Sequence, residues 1–386
     1  MDFKKFIKRY KRYWPYGAGA IAAILLIVLV IVLATAGGQE TPTEPNKDNA
    51  GVTTLPAESS VPDETTQPTT VPPETTLPPV LYRHPLTGEP LAEPNTSRPI
   101  AVMLNNIKQA MPQHGVSQAD ILYEVLAEGG ITRCMGIYTN IQNVEKLGSL
   151  RSARQYYIDI AQGYNAAYLH AGGSPEALSY LANTRDMNLD AGLSGTHFYR
   201  DKDRLNSGYS MEHTLFTSGE KLLAFAGLQN VSTTVAEDKT YNMTFDDEKV
   251  IVGDGANKVS VYFGAANAWT KSTILTYNPD TKTYFAQQHG GDYIDGNNKK
   301  TVSFRNIVVL KAATSIQSDN VHLTIQTVGS GEGYFACNGQ MVKIRWSRNS
   351  VNEPFTFTQE NGNPITYGVG KTYIGVIPSN GAVTCE

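Results

Sequence analysis

The sequence predicts an α+β protein: a mixed α/β domain over 82–232, then a mostly antiparallel, β-rich domain over 240–380. Both are expected to follow a transmembrane helix (17–36) and a disordered linker (37–80). Three observations carry this. An uncharged apolar run opens the chain behind a basic segment. Strand-like and helix-like patterns alternate between residues 82 and 232. From about residue 240 onward, short β-rich runs separated by turn signals replace that alternation.

The first 16 residues contain Lys4, Lys5, Lys8, Arg9, Lys11 and Arg12, and the run from Gly17 to Ala36 carries no charge. About 20 such residues cross a hydrocarbon core. The positive flank predicts a cytoplasmic N-terminus with the rest of the chain outside. Cleavage near Ala36, after "ATA", is the alternative, and would give a secreted protein. No cysteine follows the run to carry a lipid. Residues 41–79 hold ten threonines and nine prolines. That composition cannot build a core and reads as an extended stalk. At about 3.1 Å per residue it would reach on the order of 100 Å.

From residue 80 onward 25 basic residues face 28 acidic ones. This balance offers no basic field for nucleic acid. Three cysteines are too few for a disulfide scaffold, although Cys337 and Cys385 could pair outside the membrane.

The elements follow from local pattern. "RPIAVMLNN" (98–106) reads as a buried strand, and "ADILYEVLAEGGITRCMGIYTN" (119–140) as two strands joined at Gly129-Gly130. Ser149 is a suitable N-cap for a helix running to about Gln162. This puts Arg151 and Arg154 on the first turn, against the helix dipole, and so calls for an anion nearby. "NAAYLHAGG" (165–173) returns as a strand. Ser174 and Pro175 then start a helix through "SPEALSYLAN". "SGEKLLAFAG" (218–227) is a further helix, closed by Gly227. The β-rich part comprises "KVSVYFG", "STILTYN", "KTYFAQQ", "NIVVLKA", "VHLTIQTVG", "GYFACNG", "MVKIRWS" and "TYIGVIP".

The stretches "RPIAVMLNN", "ADILYEVLAEGGITRCMGIY", "LGSLRSARQYYIDIA" and "YLHAGGSPEA" resemble the YerB-type lipoproteins, a bacterial family of unknown function. "DYIDGNNKKTVSFRNIVVLK", "GYFACNGQMVKIRWS" and "GNPITYGVGKTYIGVIP" resemble that family's C-terminal domain. The resemblance covers most of 84–380 and implies a Gram-positive, extracytoplasmic protein. It brings no activity. The lipid-bearing cysteine of a lipoprotein is missing here, and a membrane anchor stands in its place.

Candidate chemistry gathers in the first domain. Glu124 and Glu128 are four residues apart, on one face of a strand or a helix. They could divide acid and base roles in glycoside hydrolysis, or form an ion cluster with Arg133, Arg151 or Arg154. "HAGGSPEA" (170–177) sets His170, Gly172, Gly173 and Ser174 at a strand-to-helix turn that can hold an anion. Ser174 fails the nucleophile-elbow pattern and reads as a cap. His197, Arg200, Asp201, Arg204 and His213 could line a cleft or lie in solvated loops. They lack zinc spacing, so no metal and no cofactor is expected. "SGEK" matches S-x-x-K only formally. Trp269, Tyr277, Tyr284, Tyr293 and Trp346 could stack on sugars or fill the core. Three functional readings result: a membrane-tethered binding or scaffold module for cell-wall polymers or an envelope partner; an envelope hydrolase acting on glycan or phosphodiester; or a structural protein whose charges satisfy one another. The ligand residues expected for the first are Arg151, Arg154, His170, Gly172, Gly173, Ser174, His197 and Arg200. For the second, Glu124, Glu128 and His170 are the catalytic candidates.

Overall fold

The computed structural model describes residues 82–235, 241–248, 253–264 and 271–386. The expected basic segment, membrane helix, linker and Trp269 lie outside them. Among the described residues no helix is long and apolar enough to cross a membrane.

A large mixed sheet organises the described part. Its strands run in the order Asp254–Gly255, Gln340–Arg348, Gly329–Cys337, Asn306–Ala312, Thr372–Pro378, Ile121–Leu126, Thr132–Tyr138, Ile100–Asn105, Ala167–His170 and Asn188–Asp190. The Thr372–Pro378 strand is buried throughout. It lies parallel to Asn306–Ala312 on one side and to Ile121–Leu126 on the other, with Thr372 opposite Ile121. A near-continuous apolar run, "TYIGVIP", suits a strand covered on both faces. The two sequence segments therefore share one sheet, closed by a strand from near the end of the chain.

Strand alternation sends side chains to two cores. On one face Leu104, Leu122 and Cys134 pack with Val259, Val261, Leu275 and Tyr284 of a second, antiparallel sheet, and with Phe263 just past one of its strands. Leu222 and Phe225 of the Gly219–Leu228 helix join them. On the other face Tyr123, Val125 and Met135 pack under Tyr157, Ile158 and Ala161 of the Gln155–Gly163 helix and Leu181 of the Pro175–Asn183 helix.

Several local expectations are met. The strands at 100–105, 121–126 and 132–138 form, and Ser174 caps its helix by accepting from Ala177 N–H at 3.4 Å. Others are corrected. Gly227 lies inside its helix, which runs to Leu228 with Gln229 as C-cap. "VHLTIQTVG" divides into a Leu323–Ile325 strand and the start of Gly329–Cys337. All three cysteines are free, so Cys337 and Cys385 do not pair; they lie in different sheets.

The main correction concerns residues 149–154. The helix starts at Gln155, and Arg154 occupies the N-cap position without a side-chain cap. Residues 150–153 are instead held in sheet-like pairing. Leu150 N–H donates to Leu215 O at 2.9 Å, Arg151 N–H to Met103 O at 3.0 Å and Ala153 N–H to Gly172 O at 2.8 Å. Backbone groups committed across to three neighbouring segments cannot close a helical turn, which outweighs the capping signal of Ser149.

Candidate functional site

The 151–154 segment brings part of the predicted constellation together. Its Ala153 bridges Gly173 in parallel, and Ala171 N–H donates to Arg151 O at 3.0 Å. Gly172 adopts φ +69°, a left-handed conformation that favours glycine and turns the chain toward the Ser174 cap. Arg154 clasps Glu128 through two nitrogens, at 2.5 and 2.9 Å, and Arg133 reaches the same carboxylate at 3.3 Å. Burial would raise the Glu128 carboxyl, but the two guanidiniums outweigh it and hold it below the ordinary range. Arg151 pairs with Glu212 at 3.0 Å, a carboxylate that is 54% exposed.

His170 is fully buried. Its Nδ1 lies 2.8 Å from Gly172 O and its Nε2 2.9 Å from Asn188 Oδ1, and it stacks on Tyr168. Both ring nitrogens are thus met within the protein, and the ring braces the turn from beneath. His197 and Arg200 are held by their own surroundings: His197 Nδ1 by Ser194 Oγ at 2.7 Å, and Arg200 by Met211 O at 2.6 Å. Asp201 caps the Lys202–Asn206 helix, while Arg204 donates to Ala110 O and His213 O, both at 2.9 Å.

Glu124 does not join Glu128. It shares a face with Leu122 and Leu126, whereas Glu128 follows the strand's end in a turn whose Gly129 has φ +69°. The expected common face is lost because the strand stops at Leu126 and the chain turns. Glu124 is 2% exposed and meets Lys271 Nζ at 2.8 Å. It also accepts from Asn106 Nδ2 at 2.9 Å, Thr132 Oγ1 at 2.7 Å, Thr273 Oγ1 at 2.7 Å and Tyr373 OH at 2.9 Å. Burial alone would raise this carboxyl; Lys271 and the hydroxyl donors outweigh it and lower it. The buried anion ties the second sheet to the first. Neighbouring Cys134 is pushed well up by burial, which leaves an inert thiol. The described aromatics among the sugar-stacking candidates fill the interior: Tyr284, Tyr293 and Trp346 are buried, and Tyr277 packs on Tyr284 with centroids 5.0 Å apart.

A cavity that the sequence reading missed lies at the opposite end of the sheet. Strands 121–126, 306–312 and 372–378 run parallel, and residues just before their first positions line a cleft of about 600 Å³. Lys282, Lys300, Arg305 and Lys371 supply cations, against Glu89 and Asp247. Ser117, Thr281, Thr283, Thr301, Ser303 and Asn298 add hydroxyl and amide groups. Arg305 is committed: it donates to Lys282 O at 2.7 Å and to Asp247 Oδ1 at 3.2 Å. Lys371 Nζ donates to Ser117 O. Gly370, with φ +139°, lets the chain pass where a Cβ would come 2.8 Å from Arg305 Cβ. The exposed Lys282 and Lys300 ammonium groups make no ion pair or hydrogen bond among the described residues. The signal available in sequence was "GNNKKTVSFRN" and "GVGKTY", two cation- and hydroxyl-bearing turns that no chemical motif marks.

Comparison with known proteins places these features in a family. Residues 86–232 match the family described as Protein of unknown function (DUF3048) N-terminal domain, and residues 259–374 match its C-terminal domain. A Bacillus subtilis protein named "Putative lipoprotein YerB" is 28% identical over 299 residues, which is 76% of this chain and 86% of that protein. The crystal structure of YerB from Bacillus subtilis superposes with a TM-score of 0.69 at 26% identity, covering 78% of this chain and 99% of that one. The chain belongs to the DUF3048 family and carries both its N-terminal and its C-terminal domain.

Proposed function

We propose that this protein is a membrane-associated, extracytoplasmic binding module whose ligand site is the lysine-bearing cleft. The relative's name as a lipoprotein and the apolar run at 17–36 support the location. One observation carries the site: two ammonium groups without a partner among the described residues, Lys282 and Lys300, at a cleft of about 600 Å³. That volume falls within the range of ligand sites, and its polar lining suits a charged, hydroxyl-rich ligand such as a cell-wall polymer. Hydrolysis finds less support. A glycosidase needs two carboxylates flanking one bond, while Glu124 and Glu128 lie toward opposite faces of the sheet and are already engaged by cations. Arg133 and Arg154 are likewise met internally.

Retention of the detergent-purified full chain on cell-wall sacculi tests this. Lys282→Ala/Lys300→Ala should weaken retention about tenfold to a hundredfold, the effect of losing charge-assisted contacts. Arg151→Ala should leave it near wild type. Equal retention by the double-lysine variant, or a large loss with Arg151→Ala alone, would overturn the assignment of the cleft.

A further inference from the structure

Resting on the cleft as the ligand site, we infer that its ligand is an open-chain polyol phosphate. The two free cations are lysines, compact point charges that suit a tetrahedral phosphate from any direction. An arginine fork, which matches carboxylate and phosphate alike, is not available, because the cleft's one arginine among the described residues is already spent on Lys282 O and Asp247. The two acids are occupied as well. Asp247 Oδ1 accepts from Arg305 and from Val369 N–H at 2.9 Å, and Glu89 Oε2 accepts from Thr87 Oγ1 at 3.2 Å. Four cations face these two acids among the described lining residues, so the net charge of the lining is positive.

The rest of the lining points to the polyol. Among the described residues no aromatic lines the cleft, and Val369 is the one aliphatic side chain there apart from the lysine and arginine stems. Sugar-ring faces are commonly held against aromatic or apolar platforms, and none is offered. Instead Thr281, Thr283, Ser303 and Asn298 add hydroxyl and amide groups to the lining. Thr281 and Thr283 bond each other at 2.8 Å and Asn298 donates to Ser117 Oγ at 3.1 Å, and the spare lone pairs of such hydroxyls suit the alcohols of a flexible chain. Phosphate for the lysines and alcohols for the hydroxyls is the composition of a polyol phosphate, whether a wall-linked polymer or a lipid headgroup.

The probe is soluble poly(glycerol phosphate), titrated into the full-length protein in detergent, with a polyuronate of matched charge as competitor. Binding should weaken steeply with salt. It should fall at least about tenfold in Lys282→Ala/Lys300→Ala and recover in Lys282→Arg/Lys300→Arg, with unchanged thermal unfolding as the check on folding. Sacculi stripped of phosphate polymers should lose the wild-type protein. If stripped sacculi or the polyuronate bind wild type as well as the phosphate probe does, and the alanine variant loses both, the phosphate assignment falls while the cleft stands. If the alanine variant binds every probe like wild type, the cleft itself falls. Competition by phosphatidylglycerol vesicles supports the same chemistry with a lipid headgroup as the source; failure to compete supports the polymer.

Discussion

Lys271→Met should lower folding stability by about 3–5 kcal/mol, the cost of leaving one partner of a buried ion pair uncompensated. Glu124→Leu should cost more. Lys271 contributes one cation, but Glu124 is the common acceptor for Asn106, Thr132, Thr273 and Tyr373 as well. Removing the carboxylate strands four further donors, each carrying its own desolvation penalty. Denaturant midpoints of the two single variants check both the size and the order. A reversed order would mean that the hydroxyl donors find other partners.

The same site sets a pH dependence. The folded carboxyl of Glu124 lies below its ordinary value of 4.5. A lowered folded pKa means that the unfolded chain binds the proton more readily, so the stabilisation is present above the unfolded value. It is lost as pH falls through the folded one. Wild type should therefore lose stability on acidification below about pH 4.5, and Glu124→Leu should lose less over the same interval.

Glu128→Gln should destabilise by about 2–3 kcal/mol. Arg133 and Arg154 are 5% and 8% exposed, and both rely on this one carboxylate as their anion. The cost is set below that of Lys271→Met because the Glu128 side chain is 16% exposed and water can reach the pair. Thermal or denaturant unfolding checks this; a change within about 0.5 kcal/mol would place the pair with solvent-screened surface bridges.

Strands in this chain were legible because their pattern is local. "IAVMLN" and "ILYEVL" are buried strands whether or not their neighbours are known. Ser174-Pro175 announces a helix by the same local logic. Residues 149–154 were not legible, because what decides them is distant: Met103, Gly172 and Leu215 claim their backbone groups. The single sheet shared by both sequence segments has the same origin, since nothing in "TYIGVIP" names Ile121–Leu126 as its neighbour. Among site residues, the sequence correctly suggested that Glu128 would meet arginines. It could not pair Glu124 with Lys271, 147 residues away. The cleft escaped for a related reason: Ser117, Lys282, Lys300 and Lys371 are separated along the chain and converge only where three parallel strands begin.

A crystal structure of the protein soaked with a short glycerol phosphate oligomer tests the central claim most directly. Phosphate bound within hydrogen-bond reach of Lys282 and Lys300 is the predicted result. An empty cleft with the oligomer instead seated on the Gly172–Ser174 turn beside Arg151 would contradict it.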